Sequence, residues 1–62
     1  MRMRELRRAK GLTMKQVADK ANVSEAAVSL YERGLRNPNL STAHRIAEVL
    51  NCTVDELFGK AV

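Results

Sequence analysis

Residues 14–33, which read MKQVADKANVSEAAVSLYER, constrain the fold of this chain more than any other stretch. Their apolar side chains recur at helical spacing in two groups, which predicts two short helices that share one core. Asn22 lies between the groups, where a sharp bend favours a residue that tolerates positive φ, and Ser24 can cap the second helix. Ala18 is small enough for a close helix crossing, and Val28 fills the angle between the helices. The segment therefore predicts two helices joined by a tight turn.

A second pattern marks the start of helices and occurs three times. It consists of an apolar residue, then Ser or Thr, and then an apolar residue four positions beyond the hydroxyl. The hydroxyl can cap the first turn of a helix, while the two apolar residues contact each other as a hydrophobic staple. Gln16 and Glu56 also match the last position of a capping box. The copies are Leu12-Thr13-Val17, Val23-Ser24-Val28 and Cys52-Thr53-Leu57.

Periodicity and chain-breaking residues predict the other helices. Residues 2–10 carry a thin apolar face, and Gly11 can end that helix. After the loop GLRNPN, either Asn39 or Ser41 caps a helix that runs to Leu50.

The chain closes with a short helix over residues 54–58 that ends at Gly59, and Asn51 can end the preceding helix in the left-handed conformation. No strand pattern appears anywhere in the sequence. We therefore expect an all-α fold, a compact bundle of five short helices that forms a single domain over residues 1–62.

Length, charge and cysteine content limit the classes of protein to which the chain can belong. Its 62 residues suffice for one domain, and 11 Lys and Arg against 7 Asp and Glu give a formal net charge of +4. The excess suits a polyanionic partner, although a merely soluble basic protein would share it. The single cysteine, Cys52, excludes a disulfide within the chain, and no Cys and His cluster is available for a metal. We expect a cytoplasmic protein without a membrane segment.

The segments GLTMKQVADKANVSEAAVSLYERGLRNP and IAEVLNCTVDELF together resemble the Cro/CI-type (lambda-repressor-like) DNA-binding domains over nearly the whole chain. The resemblance implies that helices two and three form a helix-turn-helix, in which helix three reads DNA. It also implies a structural ion pair between an Arg of helix one and a Glu at the end of helix three. The matching positions are Arg7 and Glu32, for which weak contacts of exposed charges are the alternative.

The resemblance further implies which residues touch DNA. Side chains at the start and on the outward face of helix three reach base edges, while donors at helix starts and in the following loop bind phosphates. As alternatives, Glu25 can complement the helix dipole, Ala26 can simply favour helix, and Leu30 can pack against Leu35 beneath the loop. The base-reading candidates are Ser24, Glu25, Ala26, Ser29 and Leu30. The phosphate-contact candidates are Lys15, Arg33, Arg36 and Asn37.

The remaining polar residues suggest no catalytic chemistry. Lys20 and Arg45 are expected to be solvated charges, His44 a surface or partly buried histidine, and Cys52 a core residue rather than a nucleophile. No carboxylate pair, nucleophile with a base, or set of metal ligands is recognisable, so we expect neither an enzyme nor a cofactor.

The interpretation that accounts for these features is sequence-specific binding of double-stranded DNA by a transcriptional repressor or regulator. We expect a homodimer on a pseudo-palindromic operator, with helix five and residues 59–62 as the contact. An antitoxin that represses its own operon is a close variant. A helical bundle that binds a partner protein, through a surface that includes Ala26 and Leu30, is the alternative from another class. No small-molecule effector is evident.

Overall fold

The computed structural model describes residues 1–59, whose regular structure consists of five α-helices and no strand. The all-α, five-helix prediction is confirmed. The first helix is one residue shorter at each end than predicted, because Arg2 and Lys10 are its caps, and the last helix stops one residue early because Phe58 is its C-cap. No helix within the described residues combines the length and apolar character needed to cross a membrane. Residues 60–62, part of the predicted dimer contact, lie outside the described residues. The helices are α1 (Met3–Ala9), α2 (Met14–Ala21), α3 (Glu25–Glu32), α4 (Leu40–Leu50) and α5 (Val54–Leu57).

Side-chain caps start four of the helices, and in each the cap oxygen accepts from the backbone N–H three positions later at 2.8–3.1 Å. Asn39, rather than Ser41, caps α4, which decides between the two predicted alternatives. Gln16 and Glu56 accept in return from the cap N–H groups, so both predicted capping boxes are confirmed. Each cap of this kind stabilises its helix by about 1 kcal/mol. The cap residues are Thr13, Ser24, Asn39 and Thr53.

Asparagine in the left-handed conformation ends both α2 and α4. Asn22 has φ 58° and Asn51 has φ 54°, as the sequence predicts for both positions. At the end of α2 the backbone N–H of Val23 donates to the carbonyl of Ala18 at 3.0 Å. This bond satisfies a carbonyl that the helix itself leaves without a partner, and it turns the chain sharply into α3.

The core is a hydrophobic cluster to which all five helices contribute. α2 packs against α3 and α4, α1 packs against α3, and α5 packs against α4. Ala18 and Val28 are both buried in this cluster, as a close crossing of α2 and α3 requires. The packing holds the inner side of α3 against its neighbours and leaves its outer side at the surface. The largest fully buried side chains are Met3, Val17, Val28, Ile46, Leu50 and Leu57.

Candidate nucleic-acid interface

Helix α3 presents two unlike faces. Val28 and Tyr31 are buried in the core, whereas Ser24, Glu25 and Ala26 at the start of the helix are exposed. A protruding helix start on an anchored inner face suits insertion into the major groove, which admits an α-helix. The structure thus brings three of the predicted base-reading residues together at the surface.

The first turn of α3 retains donors and acceptors for a ligand. The Oγ atom of Ser24 accepts from the N–H of Ala27 at 3.0 Å, and its hydroxyl proton stays available to donate. Glu25 lies in the first turn, where a carboxylate both complements the helix dipole and can accept from a cytosine amino group. The position of Glu25 is therefore compatible both with a base contact and with complementation of the helix dipole.

Ser29 and Leu30 lie further along α3 and are half-buried. Leu30 is outside the hydrophobic core cluster. The backbone N–H of Leu35 donates to the carbonyl of Leu30 at 3.0 Å, which brings the loop against the end of α3, and Leu35 itself is 64% exposed. Leu30 thus keeps part of its apolar surface available beside the exposed start of α3.

The predicted phosphate-contact residues flank this face. Arg33, Arg36 and Asn37 are exposed in the segment that follows α3. No acidic residue occurs between Arg33 and Ala47, so the positive charge of this edge is not neutralised locally. A polyanion that lies along α3 would meet these donors at the C-terminal end of the helix.

Lys15 lies in the first turn of α2 and is also exposed. Its Nζ atom is 3.3 Å from Oδ2 of Asp19, one turn later on the same helix. Both side chains are largely solvated, so this contact is weak and a phosphate can compete for the ammonium protons. Met14, by contrast, packs against the core.

The structure brings Arg7 and Glu32 together across α1 and α3. Arg7 Nε donates to Glu32 Oε2 at 2.6 Å, and Nη2 donates to Oε1 at 3.2 Å. The Arg7 side chain is 12% exposed and that of Glu32 only 1%. The remaining arm of Arg7, Nη1, donates to the carbonyl of Leu12 at 2.9 Å. The Arg7 guanidinium therefore connects α1, which carries it, to the end of α3 and to the segment before α2.

A second arginine, to which the sequence pattern assigns no role, also contacts Glu32. Arg4 Nε donates to Glu32 Oε1 at 3.3 Å from a side chain that is 50% exposed. Arg4 precedes Arg7 by three positions on α1 and so lies on the same side of that helix. This spacing is the signal that would have identified it.

The prediction that Arg45 is a solvated charge is wrong. Its Nε donates to the carbonyl of Ala21 at the end of α2, at 2.9 Å. Its two other nitrogens donate within α4, to Ser41 Oγ at 2.9 Å and to Thr42 Oγ1 at 3.2 Å. The partner carbonyl lies 24 positions away in the chain, so no local pattern could have indicated the contact. Lys20 is exposed, as expected.

His44 is exposed, and Cys52 is half-buried beside the core cluster. Burial raises the pKa of the Cys52 thiol, Glu56 adds to the rise, and Arg2 opposes it. His44 is thus a surface histidine, one of the two expected positions, whereas Cys52 lies at the edge of the core and not fully inside it.

The C-terminal part of the described chain bears acidic residues and no Lys or Arg. All Lys and Arg of residues 1–59 precede Ile46, and three carboxylates follow it, at Glu48, Asp55 and Glu56. The backbone and side-chain hydrogen bonds of Thr53 lower the pKa of Glu56 and so favour its charged form. The surface of α5 consequently disfavours a polyanion.

Comparison with known proteins points in the same direction as the geometry. A family model described as helix-turn-helix matches residues 3–57. The chain is similar to an uncharacterized HTH-type transcriptional regulator of Archaeoglobus fulgidus, with 37% identity over 57 residues that cover 92% of this chain and 81% of that protein. No solved structure matches the chain significantly.

Two further relatives have more specific names. The HTH-type transcriptional regulator ImmR of Bacillus subtilis is 36% identical over 95% of this chain and 46% of its own length. The immunity repressor protein of Bacillus phage phi105 is 36% identical over 95% of this chain and 41% of its own length. The chain thus spans less than half of either protein.

Proposed function

The chain belongs to the Cro/CI-type helix-turn-helix family of transcriptional regulators, and from this membership we propose that it binds a specific double-stranded DNA sequence and represses transcription there. In this proposal α3 enters the major groove while α2 lies across the sugar-phosphate backbone. The observation that supports it best is the exposed start of α3, together with a segment after the helix that bears arginines and no carboxylate.

Five side chains of α3 and its cap are proposed to read bases. The hydroxyls of Ser24 and Ser29 suit hydrogen bonds to base edges, and the carboxylate of Glu25 suits the amino group of cytosine. Ala26 and Leu30 offer apolar surface for thymine methyl groups. Because no long amide side chain occupies this face, we expect much of the preference to depend on thymine positions.

Four residues are proposed to bind phosphates. Arg33, Arg36 and Asn37 would contact the backbone at one end of α3, and Lys15 would contact it at the start of α2. Such contacts set affinity and orientation without selecting a sequence, and they make binding depend on salt. We therefore expect substitutions in the two sets of residues to have different effects: loss of a phosphate contact lowers affinity for all duplexes, and loss of a base contact changes sequence preference.

The proposed binding form is a homodimer on a pseudo-palindromic operator. Two reading helices must then lie about 34–36 Å apart, one turn of DNA. The described residues extend 29 × 23 × 19 Å along their principal axes, which is of the same order as that separation. We propose that the contact involves α5, where Val54 and Phe58 are only partly buried.

Repression is the proposed outcome because a bound protein excludes other proteins from the same stretch of groove and needs no further contact to do so. An antitoxin that represses its own operon would use the same surface. Such a regulator would act in the cytoplasm, where a thiol such as that of Cys52 stays reduced.

Selection of duplexes from a random-sequence pool tests the proposal. We expect one recurrent motif, bound at least about 1,000 times more tightly than a scrambled duplex of equal length at physiological salt. A reverse-sequence control that keeps the base composition excludes a preference for composition alone. Equal binding of all duplexes would contradict sequence-specific recognition, and absence of binding at low salt would favour the protein-partner alternative.

Sedimentation velocity with the selected site tests the dimer separately. A full pseudo-palindrome should carry two copies of the chain, whereas a single half-site of the same total length should carry one. One copy on the full site would contradict the dimer and leave sequence-specific binding intact.

A further inference from the structure

We propose that Arg45 is a positioning residue for DNA reading, because its guanidinium holds the turn between α2 and α3 in place. The Nε atom donates to the carbonyl of Ala21 at 2.9 Å, and Ala21 is the last residue of α2. Only Asn22 and Val23 separate that carbonyl from Ser24, the cap of α3. This inference rests on the proposed function, since it concerns how α3 is aimed at DNA.

The carbonyl of Ala21 is a strong partner for a cation. Carbonyls in the last turn of a helix lack intrahelical donors and carry the negative end of the helix dipole. The carbonyls of Ala18 and Asp19 accept from N–H groups of the turn itself, whereas that of Ala21 accepts from Arg45, a residue of α4. The position of the turn is thereby tied to α4 and not only to α2.

The rest of the guanidinium is held rigidly. Nη1 and Nη2 donate to the hydroxyls of Ser41 and Thr42 on α4, so three separate bonds fix the plane of the group. A lysine has one nitrogen at the end of a flexible chain and cannot make this fork. The Arg45 side chain therefore forms a rigid link between α4 and the end of α2, which we call the strut.

Arg45 complements the contact that Arg7 makes at the opposite end of α3. Arg7 holds Glu32, the last residue of α3, from α1. Arg45 holds the turn just before the first residue of α3, from α4. With both ends tied to different helices, the tilt of α3 is defined. Loss of the Arg45 contact with the Ala21 carbonyl would move the exposed side chains of Ser24 and Ala26 relative to the bases that they are proposed to read.

The test compares Arg45→Lys with Ile46→Val and Arg8→Lys. Arg45→Lys keeps the charge and removes the fork. Ile46→Val removes a buried methyl group from the same helix and lowers stability while leaving the strut intact. Arg8→Lys makes the same chemical change at an exposed position of α1. Affinity is measured for the selected duplex and for a random duplex, at a temperature where circular dichroism shows every variant folded.

We expect Arg45→Lys to lower the ratio of specific to random affinity about tenfold, which is the effect of removing one hydrogen bond to a base, with random-duplex affinity unchanged. Both control variants should keep the wild-type ratio. Hydrogen exchange without DNA should show faster exchange at the Asn22 and Val23 amides in Arg45→Lys, relative to core amides of α4, and not in Ile46→Val.

Three results would overturn the inference. An unchanged ratio in Arg45→Lys would show that the strut does not position α3. An equal decrease of the ratio in Ile46→Val would show that general stability, not the strut, is responsible. A wild-type chain that prefers no duplex would overturn the proposed function and this inference with it, whereas the first two results leave the proposed function standing.

Discussion

Within residues 1–59, Arg7 and Glu32 form the shortest side-chain hydrogen bond between two helices, with Nε and Oε2 2.6 Å apart. The carboxylate is almost fully buried, and it accepts from two nitrogens of Arg7 and one of Arg4. Because Glu32 is the last residue of α3, this contact fixes the C-terminal end of the proposed reading helix to α1.

Removal of either partner should therefore be costly. Arg7→Met or Glu32→Gln should each lower the free energy of unfolding by about 3–5 kcal/mol, since the remaining charge is left buried without its main partner. A double-mutant cycle in urea measures the coupling, and Arg4→Met, at the exposed partner, is the control that should cost at most about 1 kcal/mol. Additive decreases for Arg7→Met and Glu32→Gln would show that the two side chains are not coupled.

A larger side chain at Ala18 should disturb the crossing of α2 and α3. Ala18 is 2% exposed, so Ala18→Leu should overpack the core and lower the free energy of unfolding by about 1–3 kcal/mol. The same change at exposed Ala9 of α1 should stay within about 0.5 kcal/mol of wild type. An unchanged urea midpoint for Ala18→Leu would be incompatible with the close packing at this position.

The proposed phosphate contacts should be visible in the salt dependence of binding. Arg33→Ala and Arg36→Ala should weaken all duplexes alike and each reduce the slope of log affinity against log salt by about 0.9. Sequence preference should survive, and Arg8→Ala is a charge-matched control on α1. If Arg8→Ala reduced the slope as much as Arg33→Ala, general charge and not the loop would account for binding.

Substitutions among the proposed base-reading residues of α3 should change the sequence preference of binding. Ala26→Gln and Leu30→Gln should change the preferred base at one or two positions of the selected site, because glutamine favours adenine where an apolar side chain favours a thymine methyl. The slope against salt should not change. Repeated selection with each variant measures the effect, with Lys20→Gln as a surface control. Identical motifs for the wild type and both α3 variants would mean that this face does not read bases.

The lowered pKa of Glu56 predicts a pH-dependent contribution to folding. The group is a carboxyl whose pKa is lower in the folded chain, so its contribution is present above the unfolded value, near 4.5, and is lost as pH falls through the folded value. Glu56→Gln keeps a capping side chain but removes the titration. The stability difference between wild type and Glu56→Gln should therefore change below about pH 4.5 and stay constant above it. A stability difference between wild type and Glu56→Gln that is constant at all pH values would contradict a lowered pKa of Glu56 in the folded chain.

Much of the fold follows from interactions between residues close in the sequence. The caps at Thr13, Ser24 and Thr53 each bond to a backbone group three positions later, and the sharp turns at Asn22 and Asn51 depend on the backbone freedom of a single residue type. Such contacts need no knowledge of the tertiary structure. For this reason the number, type and approximate limits of the helices were predictable.

The candidate site was predictable only in outline. Position on α3 follows from helical spacing, but the exposure of Leu30 depends on where the loop after α3 runs, and two packing arrangements were equally compatible with the sequence. In the structure Leu30 is half-buried and Leu35 is 64% exposed, which is compatible with either arrangement. Which of these exposed side chains touch bases depends on a DNA partner and is a matter for the selection experiments.

The sequence by itself determined the helices, three of their caps and their left-handed ends, because each is specified within about one turn of chain. Only the tertiary structure decided the partner of Arg45. The carbonyl of Ala21 lies 24 positions from Arg45, and no spacing rule links residues so far apart. Core packing brings them together, since the orientation of α2 and α4 is set by buried apolar contacts and the charged side chain then bonds to an acceptor within reach.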